Sequence, residues 1–210
     1  MITTEKLRIF NKYGRDIDEL ARVGADYEKQ LFDNNDWSII YGLQQDIALI
    51  NNGLAAQTFI DQTFIKLREN CDKDGFEILT NNIIYYKDFQ KIAEILKHIK
   101  LLTNLDSDTV WSRFDSTEQF LADLNQDVKN IENCCFSTLD KVQSEFLPTS
   151  TYQEISISNG WGEKYIRLSN DFDKIELRLI KIKTAHNMQY SQKGFQWYAK
   201  LISRIKFIVS

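Results

Sequence analysis

Residues 116–148 read STEQFLADLNQDVKNIENCCFSTLDKVQSEFLP, and this stretch indicates the class of fold. Its apolar side chains recur every three or four residues, the spacing that keeps side chains on one face of an α-helix. They are Phe120, Leu124, Val128, Ile131, Cys135, Leu139, Val142 and Phe146. Ser116 is a favourable N-cap residue, and Pro148 disfavours helical geometry at the residue before it. The pattern therefore predicts one long helix between Ser116 and Pro148.

The same periodicity predicts further helices on both sides of this stretch. One of them enters through Asn35 or Asp36 as N-cap, ends at Asn52–Gly53, and carries a stripe of Ile40, Leu43, Ile47, Ile50 and Leu54. The helical pattern continues over residues 55–70 and is strong again over about 84–104. Shorter helices are expected near residues 3–12, 16–23 and 107–114. A last helix is expected from the stripe Phe195, Tyr198, Ile202, Ile205 and Val209.

After Pro148 the spacing changes. Ile155 and Ile157 alternate with polar residues, and Asn159–Gly160 is a typical hairpin turn. We therefore predict a mainly α fold, a multi-helix bundle with one small β-hairpin near residues 152–169. Residues 172–186 fit a helix, which we favour, and also a strand. The strand interpretation gives an alternative α+β fold with a three-stranded meander near residues 152–183.

The chain is long enough to bury a sizeable core without disulfides or metals. It has 210 residues, 43% of them hydrophobic, with one proline and eight glycines. Turn clusters at 72–75 and 148–151 mark the candidate boundaries. We expect an N-terminal helical subdomain over residues 1–75 and a helical subdomain with the hairpin over 76–210, or one continuous domain.

Sequence motifs for catalysis or cofactor binding are absent. The two histidines, His98 and His186, do not form a metal-binding pair, and Gly160-Trp161-Gly162 lacks the further glycine of a nucleotide-binding loop. We therefore predict no catalytic residue, no cofactor and no metal site. Paired carboxylates such as Asp106 with Asp108 keep an enzyme with carboxylate chemistry as a third hypothesis.

The sequence also gives an expectation about location. Residues 1–6 are mostly polar, unlike the apolar core of a secretory signal, and no apolar run approaches the roughly 18 residues of a membrane span. Three cysteines make an odd set without CxxC spacing: Cys71, Cys134 and Cys135. We expect a cytoplasmic protein with reduced thiols and no membrane partner.

Charge is segregated along the chain, although the net charge is only −4. Residues 16–46 carry eight acidic and two basic residues, and residues 106–145 carry nine acidic and three basic ones. Residues 164–210 carry ten basic and three acidic residues. The acidic segments could attract a basic partner; alternatively, they are solvated helix faces that the basic segment neutralises within the molecule.

The first 75 residues resemble a known family. The resemblance lies in Lys12-Tyr13-Gly14-Arg15-Asp16-Ile17-Asp18, Asp36-Trp37, Gln45-Asp46-Ile47 and Asn52-Gly53-Leu54-Ala55. These residues look like those of the small acidic, helical immunity proteins encoded beside bacterial polymorphic toxins. The resemblance implies a protein that binds and blocks one cognate toxin domain.

We therefore predict a non-catalytic protein-binding module, an immunity protein whose partner is a basic toxin domain. Its expected partner-binding residues are Asp16, Asp18, Glu19, Asp26, Asp33, Asp36, Trp37 and Tyr41. For Trp37, burial at the start of its helix is the alternative. The alternative function is a nucleic-acid-associated or regulatory protein that uses the aromatic and basic residues of 164–210. The sequence leaves the oligomeric state open.

Overall fold

Eleven α-helices make up most of the described chain. The computed structural model describes residues 1–14, 16–53 and 55–182. The fold is mainly helical, as predicted, and over these ranges the only β-type pairing is an isolated bridge between Ile2 and Cys71. The helices are α1 (Thr4–Tyr13), α2 (Ile17–Val23), α3 (Asp26–Leu31), α4 (Asn34–Asn51), α5 (Gln57–Asn70), α6 (Lys73–Thr80), α7 (Tyr86–Leu102), α8 (Thr117–Glu132), α9 (Phe136–Phe146), α10 (Thr151–Ser158) and α11, which runs from residue 162 to the last described residue, 182.

Capping residues explain where several helices begin. The side chain at the N-cap accepts a hydrogen bond from the backbone N–H three residues later at Thr3, Asp16, Asp33, Asp72 and Ser116. The predicted N-cap of α4 was therefore wrong by two or three residues. Asp33 occupies this position, and its Oδ1 accepts from the Asp36 backbone N–H at 2.7 Å.

The predicted long helix is interrupted. Residues 116–148 form two helices, α8 and α9, because Cys134 adopts a left-handed φ of 59°. The Cys134 N–H donates to the Ile131 carbonyl at 2.9 Å and the Cys135 N–H to the Asn130 carbonyl at 3.0 Å, which is the Schellman pattern of a helix end. Helix α9 then packs against α8, and seven of the eight residues of the predicted stripe, all but Cys135, are buried.

The predicted β-hairpin over 152–169 is wrong, and so is the alternative three-stranded meander over 152–183. These residues form α10 and α11. Tyr152, Ile155 and Ser156 are buried and Ile157 is 60% exposed, which is helical and not alternating burial. Asn159–Gly160 ends α10 with a second Schellman motif: the Gly160 N–H donates to Ile157 and the Trp161 N–H to Ser156. The favoured helix over 172–186 is confirmed to residue 182, and its remainder lies outside the described residues.

Two other predictions concern the segments between helices. The short helix predicted near 107–114 is wrong, because residues 103–116 form an irregular loop. The boundary predicted between residues 75 and 76 lies inside α6, and the division into two subdomains stays a prediction. The predicted helix carrying Phe195 to Val209 lies outside the described residues.

Aromatic contacts connect successive parts of the core. Phe64 of α5 stacks on Tyr86 of α7, with ring centroids 6.0 Å apart. Phe89 of α7 meets Phe136 of α9 edge to face at 5.0 Å. These rings belong to one buried apolar cluster that runs from Ile2 to Leu179. The core therefore holds the short helices α2 and α3 against a large buried framework, with Leu20 of α2 as one of its members.

Candidate partner-binding surface

Helix α2 presents the first group of predicted acidic residues. Asp16 is exposed and caps the helix, its Oδ1 accepting from the Glu19 backbone N–H at 3.0 Å. Asp18 is exposed and Glu19 half-buried in the first turn. Carboxylates at a helix N-terminus are stabilised by the helix dipole. These three residues therefore support the helix locally and also give this end of it a negative surface.

The next two predicted acids flank helix α3. Asp26 is exposed in its first turn, and Asp33 is exposed just after it, at the N-cap of α4. Because Asp33 accepts its capping bond with one carboxylate oxygen, the other can face a partner. The acidic surface, defined here as Asp16, Asp18, Glu19, Asp26 and Asp33, thus extends over the start of three helices.

Two predicted residues are buried in the structure. The Lys6 ammonium donates to Asp36, whose side chain is 13% exposed. Trp37 is 6% exposed and packs against Phe10 and Phe32, with ring centroids 4.6 and 5.2 Å away. This burial is the alternative that the sequence offered for Trp37. In this conformation Asp36 and Trp37 hold α4 against α1, and neither is positioned to contact a partner.

Tyr41 lies one turn beyond Trp37 and has a different environment. Its side chain is 38% exposed. Among the predicted residues, it is the aromatic side chain that a partner can reach.

A buried carboxylate, Glu28, fixes the position of α3. It is 1% exposed and accepts from the Tyr13 hydroxyl at 2.6 Å, the Lys12 ammonium at 2.9 Å and the Ala25 backbone N–H at 3.2 Å. These donors, Tyr13 first, lower the pKa of Glu28 from 4.5 to about 2. Glu28 thus stays charged and ties α3 to α1, which sets the orientation of the exposed face of α3.

That face carries apolar side chains that the sequence-based prediction did not include. Tyr27 is 55% exposed and Leu31 is 42% exposed; four residues apart in α3, they share one side of the helix. Val23, at the end of α2, is 51% exposed. Spacing alone favours burial for such residues, so only the structure identifies them as surface residues. They lie in the same segment of chain as the acidic surface.

A second group of exposed apolar residues lies on the loop 103–116. Leu105, Val110 and Trp111 are 65%, 76% and 73% exposed. The sequence prediction missed them, because the helix predicted at 107–114 would have allowed one side of that segment to be buried. Large exposed apolar side chains grouped on one loop are typical of interaction sites.

The loop is held in place although its apolar residues face solvent. The Asp108 N–H donates to Asn159 Oδ1, and Asn159 Nδ2 donates back to the Asp108 carbonyl, both at 2.8 Å. Thr117 Oγ1 donates to the Ser107 carbonyl at 2.7 Å. Phe114 is buried and packs edge to face on Phe120, at 5.3 Å. Trp111 is therefore presented from an anchored backbone.

In the second acidic segment, 106–145, three of the nine acidic residues pair with two of the segment's own bases. Lys141 Nζ donates to both oxygens of the buried Asp127, at 2.7 and 2.8 Å, and to Asp123 at 2.8 Å. Arg113 donates to Asp123 at 3.0 Å and to the buried Glu145 at 2.8 Å. These ion pairs hold the loop, α8 and α9 together. This segment therefore has less unpaired charge than its composition suggests.

The described part of the basic segment shows the same internal pairing. Arg178 donates to Asp88 at 2.6 Å and Lys174 to Asp171 at 3.0 Å. Tyr165 and Phe172, two of the aromatic residues considered for nucleic-acid stacking, are buried. Tyr190, Phe195, Trp197 and Tyr198 lie outside the described residues.

Metal-binding clusters and reactive thiols are two further kinds of site to consider in the described chain. Over the described ranges, no cluster of three or more His, Cys, Asp or Glu side chains is arranged to hold a metal ion. Cys71 and Cys134 are buried free thiols, and burial raises the pKa of Cys71 to about 11. None of the helices in the described chain combines the length and apolarity that crossing a bilayer requires.

Searches of protein-family models, curated proteins and solved structures found no match to this chain.

Proposed function

We propose that this chain is a non-catalytic binding protein that neutralises a basic toxin domain by covering part of its surface. Supporting the proposal is one observation above all: exposed apolar side chains on α2 and α3 accompany an acidic surface. Protein–protein interfaces typically combine an apolar centre with a polar or charged rim. Tyr27, Leu31 and Val23 supply apolar area, and the five carboxylates supply the charge.

The framework beneath this surface supports the same proposal. Glu28 and Leu20 anchor α3 and α2, so the exposed side chains are presented on fixed backbone. A preorganised surface loses less conformational entropy when it binds. The carboxylates are suited to speed the approach of a positively charged partner, an effect that salt weakens.

The test uses affinity purification from the source cell with the full chain as bait. We expect one basic protein in stoichiometric amount, which is toxic when expressed alone in bacteria and harmless when co-expressed with this chain. The informative variant is Asp16→Asn/Asp18→Asn/Asp33→Asn. It removes three negative charges and keeps capping oxygens at residues 16 and 33, since asparagine caps as well as aspartate. This variant should bind the toxin more weakly and lose much of the salt dependence.

A matched control removes the same number of charges from other exposed sites: Glu69→Gln/Glu163→Gln/Asp171→Asn. The control should bind as the wild type does. Equal affinity of both triple variants would contradict the proposed surface. A retained partner that is not toxic would contradict the neutralising function. Steeply salt-dependent binding of RNA or DNA by the purified chain, without a protein partner, would favour the alternative function.

A further inference from the structure

An open cavity of about 300 Å³ lies between the end of α9, α10 and α11. One wall is aromatic. Phe146 stacks between two rings at interplanar angles of 13°, with its centroid 4.2 Å from Phe172 and 6.1 Å from Tyr165. All three residues line the cavity. Its volume is at the lower end of the range for small-molecule sites.

Two carboxylates of α11 give the cavity negative charge. Asp173 and Glu176 both line the cavity and, three residues apart, share one side of the helix. Among the described residues lining the cavity, none is basic. The cavity therefore offers negative charge and apolar surface to an occupant, and none of its described lining residues is positively charged.

One oxygen of the Glu176 carboxyl group has no hydrogen-bond partner among the described residues. The residue is only 7% exposed, and its Oε1 is buried without a hydrogen-bond partner. Burial, with the nearby charges of Asp173 and Asp140, raises the pKa of Glu176. An unsatisfied buried acceptor is uncommon in folded proteins and calls for a donor, which none of the described residues supplies to Oε1.

We propose that this cavity binds a protonated primary amine attached to an apolar group. The ammonium supplies N–H donors to Glu176 and charge to both carboxylates, and the apolar group packs against the stacked rings. The two carboxylates favour an ammonium over a neutral donor, because a hydrogen bond between oppositely charged groups is the stronger one. An acceptor without a partner favours a primary amine over a quaternary one, since a quaternary ammonium has no N–H. The inference is independent of the proposed toxin partner.

The test is a calorimetric titration of the full chain with 2-phenylethylammonium. We expect saturable binding of one equivalent, and none of 3-phenylpropionate or tetramethylammonium, which lack the positive charge and the N–H donors respectively. A short acetylated and amidated peptide with one lysine presents the same ammonium as a protein side chain. If it binds too, the source can be a protein; if only the free amine binds, the site takes small molecules. Either result supports an ammonium site.

The decisive variant is Glu176→Gln, with Glu163→Gln as matched control. Both substitutions remove one carboxylate from α11, but Glu163 is exposed and 13 residues away, about 20 Å along the helix axis. Glu176→Gln should weaken amine binding about tenfold or more, since the amide oxygen still accepts a hydrogen bond but no longer carries the charge that strengthens it. Glu163→Gln should change it less than about twofold.

Thermal unfolding separates loss of the site from loss of the fold. Glu176→Gln should melt no lower than the wild type, because the neutral amide avoids the cost of burying a carboxylate charge. At the same concentration, the amine should raise the melting temperature of the wild type by mass action and that of the variant by less. Absence of binding at millimolar amine, or equal binding of amine and phenylpropionate, would overturn the proposal.

Discussion

The Tyr13 hydroxyl donates to Glu28 at 2.6 Å, and both side chains are buried between α1 and α3. Because the bond stabilises the charged carboxylate, Glu28 contributes stability at all pH values above its ordinary pKa of 4.5. That contribution is lost as the pH falls through the folded-state pKa of about 2. The connection between α1 and α3 is therefore sensitive to acid.

The first prediction follows from this loss of stability at low pH. Glu28→Gln lowers the free energy of unfolding at pH 7, and the difference from the wild type should shrink between pH 4.5 and pH 2. Tyr13→Phe removes the strongest donor to Glu28 and should reduce the same pH dependence in part. Urea unfolding at several pH values measures both. The two proteins' unfolding free energies can be plotted against pH. If the plot for Glu28→Gln runs parallel to that of the wild type between pH 4.5 and pH 2, Glu28 does not contribute the pH-dependent stability assigned to it.

A second prediction compares two helical glycines. In α4, an added Cβ at Gly42 would meet no atom within 4 Å, so Gly42→Ala should stabilise the protein by up to about 1 kcal/mol. In α6, a Cβ at Gly75 would lie 2.5 Å from the Ile2 carbonyl oxygen. That oxygen accepts from the Asp72 N–H at 3.0 Å and is not free to move away. Gly75→Ala should therefore destabilise by roughly 1–3 kcal/mol.

Chemical denaturation of the two variants provides a direct check, because the residue change is identical and only the surroundings differ. If Gly42→Ala and Gly75→Ala change the free energy of unfolding in the same direction, the Ile2 carbonyl does not pack against α6 as described.

The third prediction concerns Lys141. Lys141→Met leaves the carboxylate of Asp127, whose side chain is 4% exposed, near Asp123 and Glu145 without its cation. We expect a loss of about 2 kcal/mol in unfolding free energy, since a buried charge loses its hydrogen bonds. Lys129→Met changes an exposed lysine of α8 and should stay within about 0.5 kcal/mol of the wild type. Equal effects of the two variants would exclude a stabilising ion-pair network.

The same ion pair shows why periodicity missed the break between α8 and α9. In one straight helix, the 14 residues from Asp127 to Lys141 would span about 21 Å, yet their side chains bond at 2.7 Å. The turn preserves the step of four from Ile131 to Cys135, so the apolar spacing does not change across it. The helix end also lacks its usual signal. Cys134 takes the left-handed position that glycine normally fills. At the ends of α4 and α10, by contrast, Gly53 and Gly160 occupy this position, and a glycine can be recognised in the sequence.

The hairpin error has a related cause. Asn-Gly is a strong hairpin signal, and it is equally the signal for the end of a helix with glycine in the left-handed region. In a strand with alternating burial, Ile157 would be buried and Ser156 exposed. The structure shows the reverse. Packing of α10 against α9, which no local pattern encodes, decided between the two structures.

For the candidate surface, local chemistry was predictable and exposure was not. Acids at helix starts follow from capping, so Asp16 at the start of the helix predicted over 16–23 was identifiable from the sequence, whereas the cap of α4 was placed two or three residues too late. Whether Trp37 or Trp111 faces solvent depends on tertiary packing. Trp37 has Phe10 and Phe32 as neighbours, whereas the anchored loop keeps Trp111 outside the core.

That contrast gives the fourth prediction, in which one substitution is made at two positions. Trp37→Ala empties a buried site and should cost about 3–5 kcal/mol. Trp111→Ala removes a side chain that is 73% exposed and should change the unfolding free energy by less than about 0.5 kcal/mol. Urea denaturation followed by circular dichroism measures both, since tryptophan fluorescence would change with the substitution itself.

For Trp111, the proposed function predicts an effect on partner binding and not on stability. If the loop contributes to the toxin interface, Trp111→Ala should weaken binding by about tenfold or more while leaving stability unaltered, because exposed tryptophans at interfaces often carry much of the binding energy. Val110→Ala, at a residue that is 76% exposed, is the local control and should weaken binding less. Full affinity in Trp111→Ala would assign partner binding to the acidic surface of α2 and α3 alone, whereas a loss of stability would mean that Trp111 packs into the fold.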